Sequence, residues 1–248
     1  MPFAERIIAR SIRLAVLACV LPLAGARAAD RIGATSIATN DVTQLSDGAT
    51  TTPLHVDDAV FRDETVRTGK DSAAKFVFVD ATNLALGPVS TVKLDRFVFN
   101  DESSYSQAAV NLAKGAFRFS SGGSPKGAYE IRTGNATIGV RGTILDISTR
   151  PGRTVVTLVE GGAVVTPRAF FDGDPRSLTP SQVKKYHGAE LVHPGDTVII
   201  TSAGAQLSRH PFSFANLACG SEPALCTRDR FAGFYGRGMT PAGRLCGR

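Results

Sequence analysis

Tryptophan is absent from this chain, and tyrosine occurs only four times in 248 residues. That leaves little material for the aromatic platforms on which sugars usually stack, so a carbohydrate-processing cleft is disfavoured. The four histidines, His55, His187, His193 and His210, are scattered, and His187 and His193 have no carboxylate pair nearby. No zinc site of ordinary spacing can be written from them. No G-x-S-x-G elbow is present. The glycine-rich run Ser120-Ser121-Gly122-Gly123-Ser124-Pro125-Lys126-Gly127 is not a phosphate loop, because Gly127 follows the lysine and no helical pattern comes after it. It reads as a strand-connecting loop. The carboxylate pairs Asp57-Asp58 and Asp63-Glu64 fall in expected turns, where adjacent acids are usually solvated. Catalytic, metal and cofactor sites are therefore all assigned as none. Long hydrophobic runs are also missing after the N-terminus. The longest are strand-sized, such as Thr197–Thr201, which is short of the about 20 residues a membrane-spanning helix takes.

What is present begins with a secretory pattern. Arg6, Arg10 and Arg13 precede the apolar stretch Leu14–Leu23, and Ala26-Arg27-Ala28 has the form of a cleavage site. Residues 1–28 are expected to be a signal peptide, giving a periplasmic or secreted chain with no transmembrane segment. Cleavage would lower the formal net charge from +6 to +3. Residues 29–204 are nearly neutral, whereas 205–248 carry six arginines against Glu222 and Asp229. Nucleic acid is not an expected partner, because export separates the chain from the genome. Cys219, Cys226 and Cys246 all lie in this basic segment. In an oxidising compartment Cys219 and Cys226 would close a short Gly- and Pro-containing loop. Pairings of Cys246 with either remain open at this level, and a metal site has no supporting spacing.

From Asp30 to about Thr201 the signal is β. Strands are expected at Lys75–Val79, Thr91–Phe99, Ala116–Phe119, Ala128–Ile131, Ile144–Ile147, Val155–Val159, Ala163–Thr166 and Thr197–Thr201, separated by Gly-, Pro-, Asn- and Asp-rich turns. Ala108–Lys114 and Pro180–Tyr186 could each hold a helical turn. Val66-Arg67-Thr68-Gly69 recurs as Ile131-Arg132-Thr133-Gly134, each followed by a strand ending in Asp80 or Asp146. A repeated strand–turn unit implies an all-β fold, a β-roll or short β-solenoid, with a β-sandwich as the alternative. Residues 29–204 would form this domain, and 205–248 an irregular Cys-containing C-terminal tail without which the core should fold.

Particular residues carry a resemblance. Val66–Gly69, Asp71–Ala74, Leu84–Leu86, Gly115, Ala136–Thr143 and Glu160-Gly161 resemble the pattern of the FecR-type periplasmic domain over about residues 58–165. One departure is Ala81, where the family often has glycine. Arg67, Gly69, Arg132, Gly134, Arg141, Gly142, Thr143, Glu160 and Gly161 are assigned as the structural motif. The arginines are expected to be architectural, with Arg141 bridging strand ends through its guanidinium; the rival reading is contact with a partner.

The resemblance implies less about function. Membrane-anchored FecR regulators use a cytoplasmic segment to act on a sigma factor and a periplasmic part to sense a transducer. Neither the cytoplasmic segment nor the anchor is recognised here, so the chain is similar to the free-standing exported members. The expected function is non-enzymatic binding of another cell-envelope component, an envelope protein or otherwise. The alternative is a soluble periplasmic regulator in iron-uptake or envelope signalling through a membrane partner. An enzyme acting on wall or exopolysaccharide ranks last.

Overall fold

The computed structural model describes residues 30–46 and 50–229. The expected signal peptide and Cys246 lie outside them. Among the described residues seventeen strands run in chain order: β1 Arg31–Thr39, β2 Val42–Ser46, β3 Thr50–Pro53, β4 Ala59–Phe61, β5 Thr65–Thr68, β6 Ala73–Phe78, β7 Asn83–Leu86, β8 Thr91–Asp101 and β9 Ser104–Ser120. They continue as β10 Tyr129–Thr133, β11 Ala136–Val140, β12 Ile144–Arg150, β13 Arg153–Glu160, β14 Ala163–Pro167, β15 Ala189–Leu191, β16 Thr197–Thr201 and β17 Gly204–Ser208. One short helix, α1 Pro180–Lys185, sits between β14 and β15. It begins with a capping box in which Thr179 and Gln182 satisfy each other's backbone N–H groups.

Successive hairpins fall in alternate layers, which makes the fold a roll. The front layer pairs in the order β4-β1-β6-β7-β9-β12-β13-β16-β17. The back layer reads β3-β2-β5-β8-β9-β10-β11-β14-β15. Strand β9 belongs to both. Its first part pairs with β8 and, in parallel, with β10; its last part pairs with β7 and β12. The changeover is at Gly115, whose φ is +118° and where a Cβ would stand 2.5 Å from Ser90 Cα. Only glycine fits both conditions.

Alternation along the strands fills the space between the layers. Phe76, Phe78, Leu84, Leu86, Phe117, Phe119, Leu145, Ile147, Val156 and Leu158 enter from the front; Val66, Val92, Leu94, Val110, Leu112, Ile131, Ile138 and Val165 enter from the back. Each contributes about 1.5–3 kcal/mol when fully buried.

The structure departs from the sequence reading in several places. Strands β1–β5, β7, β11, β15 and β17 have no counterpart among the expected strands. Ala108–Lys114 is the middle of β9, not a helical turn. Its alanines favour a helix, but β8 and β10 satisfy its backbone on both edges and Val110 and Leu112 alternate into the core. Glu64 is buried: Ser46 Oγ and the Phe61 N–H donate to its two oxygens at 2.8 and 3.0 Å. Asp146 lies inside β12, not at its end.

The C-terminal segment is irregular and Cys-containing, but up to Asp229 it is built into the fold. Gly204–Ser208 completes the front layer as β17. Residues 212–229 then cross the outer surface of that layer. Phe214, Ala218 and Leu225 are buried there against Ala85 and Ala116. Cys219 and Cys226 form a disulfide. We call residues 212–229 the strap.

Candidate functional site

The motif residues form two kinds of turn, and in both the arginine points outward. In Val66–Gly69, Arg67 is exposed and Thr68 is buried. Thr68 Oγ1 donates to Gly87 O at 2.7 Å and accepts from the Ser90 N–H at 2.9 Å. In Ile131–Gly134, Arg132 is half-buried in an ion pair with Glu130. Thr133 is fully buried, with its Oγ1 2.9 Å from Thr154 Oγ1 and accepting from the Ala136 N–H at 3.0 Å. Gly69 lies where a Cβ would meet the Asp41 carboxylate at 2.5 Å; Gly134 faces open space.

The same inversion holds at Arg141-Gly142-Thr143. Arg141 is exposed, and its guanidinium is not the group that joins the two turns. The buried member is Thr143, whose Oγ1 donates to Gly162 O at 2.6 Å and accepts from the Arg141 N–H at 3.1 Å. The Arg141 N–H also reaches Gly162 O at 3.0 Å. Gly142 and Gly161 adopt φ of +69° and +87°, and a Cβ on Gly161 would stand 2.0 Å from Gly142 O. Thus the Arg-Gly-Thr turn and the Glu160-Gly161-Gly162 turn interlock backbone to backbone. Glu160 is exposed and pairs with Arg228 of the strap at 3.2 Å. The threonines were legible as the i+2 partners of Val66 and Ile131, on the inward side of the strand, and reasoning from the arginines passed over them.

Arg141 does connect to a site. Its Nη2 donates to Arg176 O at 3.3 Å. Arg176 belongs to a tight turn, Pro175–Ser177, that lies over β11. Gly139 permits this, since a Cβ there would meet Arg176 Cγ at 2.4 Å. Arg176 holds Asp174 through Nε and Nη2 at 2.8 and 2.9 Å, and its Nη1 donates to Tyr129 O at 2.8 Å and to Gly127 O. Burial pushes the Asp174 carboxyl up, but the bonds from Arg176 outweigh it and hold the group below the ordinary carboxylate range. This turn walls a groove of about 320 Å³. Its floor is the outer surface of β9 and β10 with Gln107, Ala109 and Glu130, and Arg96 stands on its far side. The groove presents alternating cations, carboxylates and an amide. Asp174 and Glu130 are both ion-paired.

The buried carboxylates serve the frame. Asp80 Oδ2 accepts from Ser124 Oγ and Tyr129 Oη, each at 2.6 Å, and Oδ1 from the Thr82 N–H at 2.9 Å. This pins the glycine-rich loop, whose Gly123 N–H also reaches Asp80 O at 2.7 Å. Burial, with the Asp80 bond, pushes the Tyr129 phenol up to about 12. Burial raises Tyr105 as well; its Oη donates to Ile32 O at 2.7 Å.

The other organised polar surface lies under the strap. On the outer side of the front layer Ile37, Lys75, Ala85, Arg118, Asp146, Thr157 and Thr197 stand opposite one another from β1 to β16. The strap binds Lys75, Arg118, Asp146 and Thr157 of this row. Lys75, with no exposed side-chain surface, donates to Ala224 O, Thr227 O and Asp229 Oδ2 at 2.8, 2.9 and 2.6 Å. Arg118 binds Asp146 with two parallel bonds of 2.7 and 2.8 Å, and its Nη1 stands 2.9 Å from Cys226 Sγ. The Phe214 and Phe212 N–H groups donate to Asp146 Oδ2 and Thr157 Oγ1 at 2.9 and 3.0 Å.

Among the described residues no three His, Cys, Asp or Glu side chains converge as a metal site, and no helix is long and apolar enough to cross a membrane. No curated protein matches the chain. Two solved structures, each of a candidate anti-sigma factor from Parabacteroides distasonis ATCC 8503, are similar to it. One is 12% identical at a TM-score of 0.44 over 63% of this chain and 64% of that one. The other is 13% identical at 0.42 over 61% of each. The chain thus spans less than two thirds of either. The family model described as FecR protein matches residues 64–164, which run from the buried Glu64 through the interlocked turns into β14. A FecR domain therefore occupies residues 64–164 of this chain.

Proposed function

We propose that this is an exported, non-enzymatic FecR-domain protein that binds another component of the cell envelope, a protein, through the groove between Arg96, Glu130 and Arg176. The observation that carries the reading is the construction of the groove. The Arg141 turn fixes the wall, β9 and β10 fix the floor, and the groove presents the ion-paired Glu130 and Asp174 together with Arg96, which donates to the Gln107 amide oxygen. Such a surface suits recognition of a polar polypeptide. The N-terminal signal pattern supports the envelope as the place.

Two measurements test this. N-terminal sequencing of the protein from an osmotic-shock fraction should begin at Ala29. In vivo photo-crosslinking from position 107 should yield a discrete protein adduct that Arg96→Glu abolishes and a distant Arg67→Glu does not. Crosslinks that are absent, or equally strong in the Arg96 variant, would remove the groove from the reading.

A second reading, a periplasmic regulator acting through a membrane partner, is favoured by the FecR domain itself. Transcript profiles of a deletion strain separate the two: a change confined to one sigma-factor regulon supports regulation.

A further inference from the structure

We infer that the Cys219–Cys226 disulfide is a site of thiol–disulfide exchange, in which Cys226 leaves as a thiolate held by Arg118 and the co-substrate is a dithiol protein. The inference stands apart from the groove and rests on the strap.

Three observations carry it. The first is the contact between Arg118 Nη1 and Cys226 Sγ at 2.9 Å. Nε and Nη2 of the same guanidinium are committed to Asp146, which fixes the plane and aims Nη1 at the sulfur. A cation held in that place stabilises a thiolate more than a disulfide sulfur, and a better-stabilised leaving thiolate departs faster. The second is that no such group is found at Cys219 among the described contacts, so the two sulfurs are unequal. The third is access. Cys219 is partly exposed, and Leu217 beside it is 51% exposed, an apolar handle next to the bond to be attacked.

The chemistry balances in two steps. A thiolate of the co-substrate attacks Cys219 Sγ. A mixed disulfide forms, the Cys219–Cys226 bond breaks, and its electron pair leaves on Cys226 Sγ beside Arg118. The second thiol of the co-substrate, having given up its proton, then attacks its own chain's sulfur in the mixed disulfide. Cys219 leaves as a thiolate and takes up a proton. The co-substrate ends as a disulfide, oxidised by two electrons, and this chain is reduced by two. Reduction opens the short loop that closes the strap over Lys75 and Arg118.

The test uses the oxidised full-length protein carrying Cys246→Ser, equilibrated with glutathione redox buffers and quenched by alkylation. It compares Arg118, Arg118→Lys and the paired variant Arg118→Met with Asp146→Asn, the last designed so that no buried carboxylate is left alone. The paired variant should be about tenfold harder to reduce, which corresponds to about 30 mV for a two-electron couple. Arg118→Lys should stay close to the parent, and in the reduced parent Cys226 should alkylate faster than Cys219 at pH 6.5. An unchanged equilibrium constant overturns the inference. So does a paired variant that is easier to reduce, because that sign means Arg118 only latches the strap. Circular dichroism confirms that each variant is folded.

Discussion

Lys75 Nζ lies 2.6 Å from Asp229 Oδ2, across 154 residues of chain. The lysine is sealed beneath the strap while the carboxylate keeps a face to water. Lys75 therefore depends on the strap for all its described acceptors, and its replacement by Met should cost about 1.5–3 kcal/mol, the range for hydrogen bonds to charged groups. Chemical denaturation checks this. Deletion from Leu217 onward should also lower stability, contrary to the expectation that the core folds indifferently to its tail, because it removes Ala218 and Leu225 and leaves Phe214 alone over Ala85 and Ala116. A truncated chain that melts like the parent would show the strap to be energetically idle.

Asp229 adds a pH dependence at the same place. Burial raises its carboxyl, but the bonds from Lys75, Thr227 and Ser36 prevail and lower it below the ordinary value. A lowered acid stabilises the folded form above the unfolded pKa of about 3.9. The contribution fades as pH falls through the folded value. Protection of the strap amides against exchange, relative to their intrinsic rates, should thus be lost in acid before that of β9.

Tyr129 behaves in the opposite sense. Its phenol, raised by burial and by Asp80 to about 12, stabilises the fold fully below the unfolded value of about 10. That stability is lost as pH climbs from about 10 towards the folded value. Absorbance at 295 nm should show a late-titrating class of tyrosine, and Tyr129→Phe should remove one member of it.

At the interlocked turns the threonine, not the arginine, should matter. Thr143→Val keeps the shape and removes both Oγ1 bonds, at a cost of about 1–3 kcal/mol. Arg141→Ala, at an exposed side chain, should stay within about 0.5 kcal/mol. Thermal melts of the two variants decide the order.

Ala81 adopts φ +64° in the turn after β6. This is the position where the FecR pattern often has glycine. An L-residue held there is strained by about 1–2 kcal/mol, part of which glycine's greater unfolded entropy offsets. Ala81→Gly should therefore stabilise the protein by about 0.5–1 kcal/mol in equilibrium unfolding.

Strands β6, β8, β9, β10, β12, β13, β14 and β16 were legible because β-branched and aromatic residues cluster in them; β1–β5, β7, β11, β15 and β17 were not read individually. Lys75–Val79 and Val155–Val159 need no tertiary information to be read. Arg141 misled for a reason of chemistry: five donors suggest a structural hub, while the hydroxyl two residues on, Thr143, does the bridging. The strap was illegible because it packs on alanines and on a row of charges, so it has no apolar periodicity of its own. A lysine such as Lys75 becomes a core residue only when a segment 149 residues away delivers a carbonyl to it. The groove was hidden similarly. Asp174 and Arg176 read as loop charges until Gly139 is seen to let them lie on β11.

Strand β9 gives the molecule a spine with a half on either side. Among the described strands, β1–β8 pair only with one another and with β9, and so do β10–β17. A chain that has emerged as far as Ser120 already holds every strand of the first half, and β9 then offers both its free edges as a template for the second. The strap arrives last in this order. It touches Lys75 and Asn83 in the first half, Arg118 on the spine and Asp146 and Thr157 in the second. It is placed to act as a clasp, binding together two halves that strand pairing joins along one line.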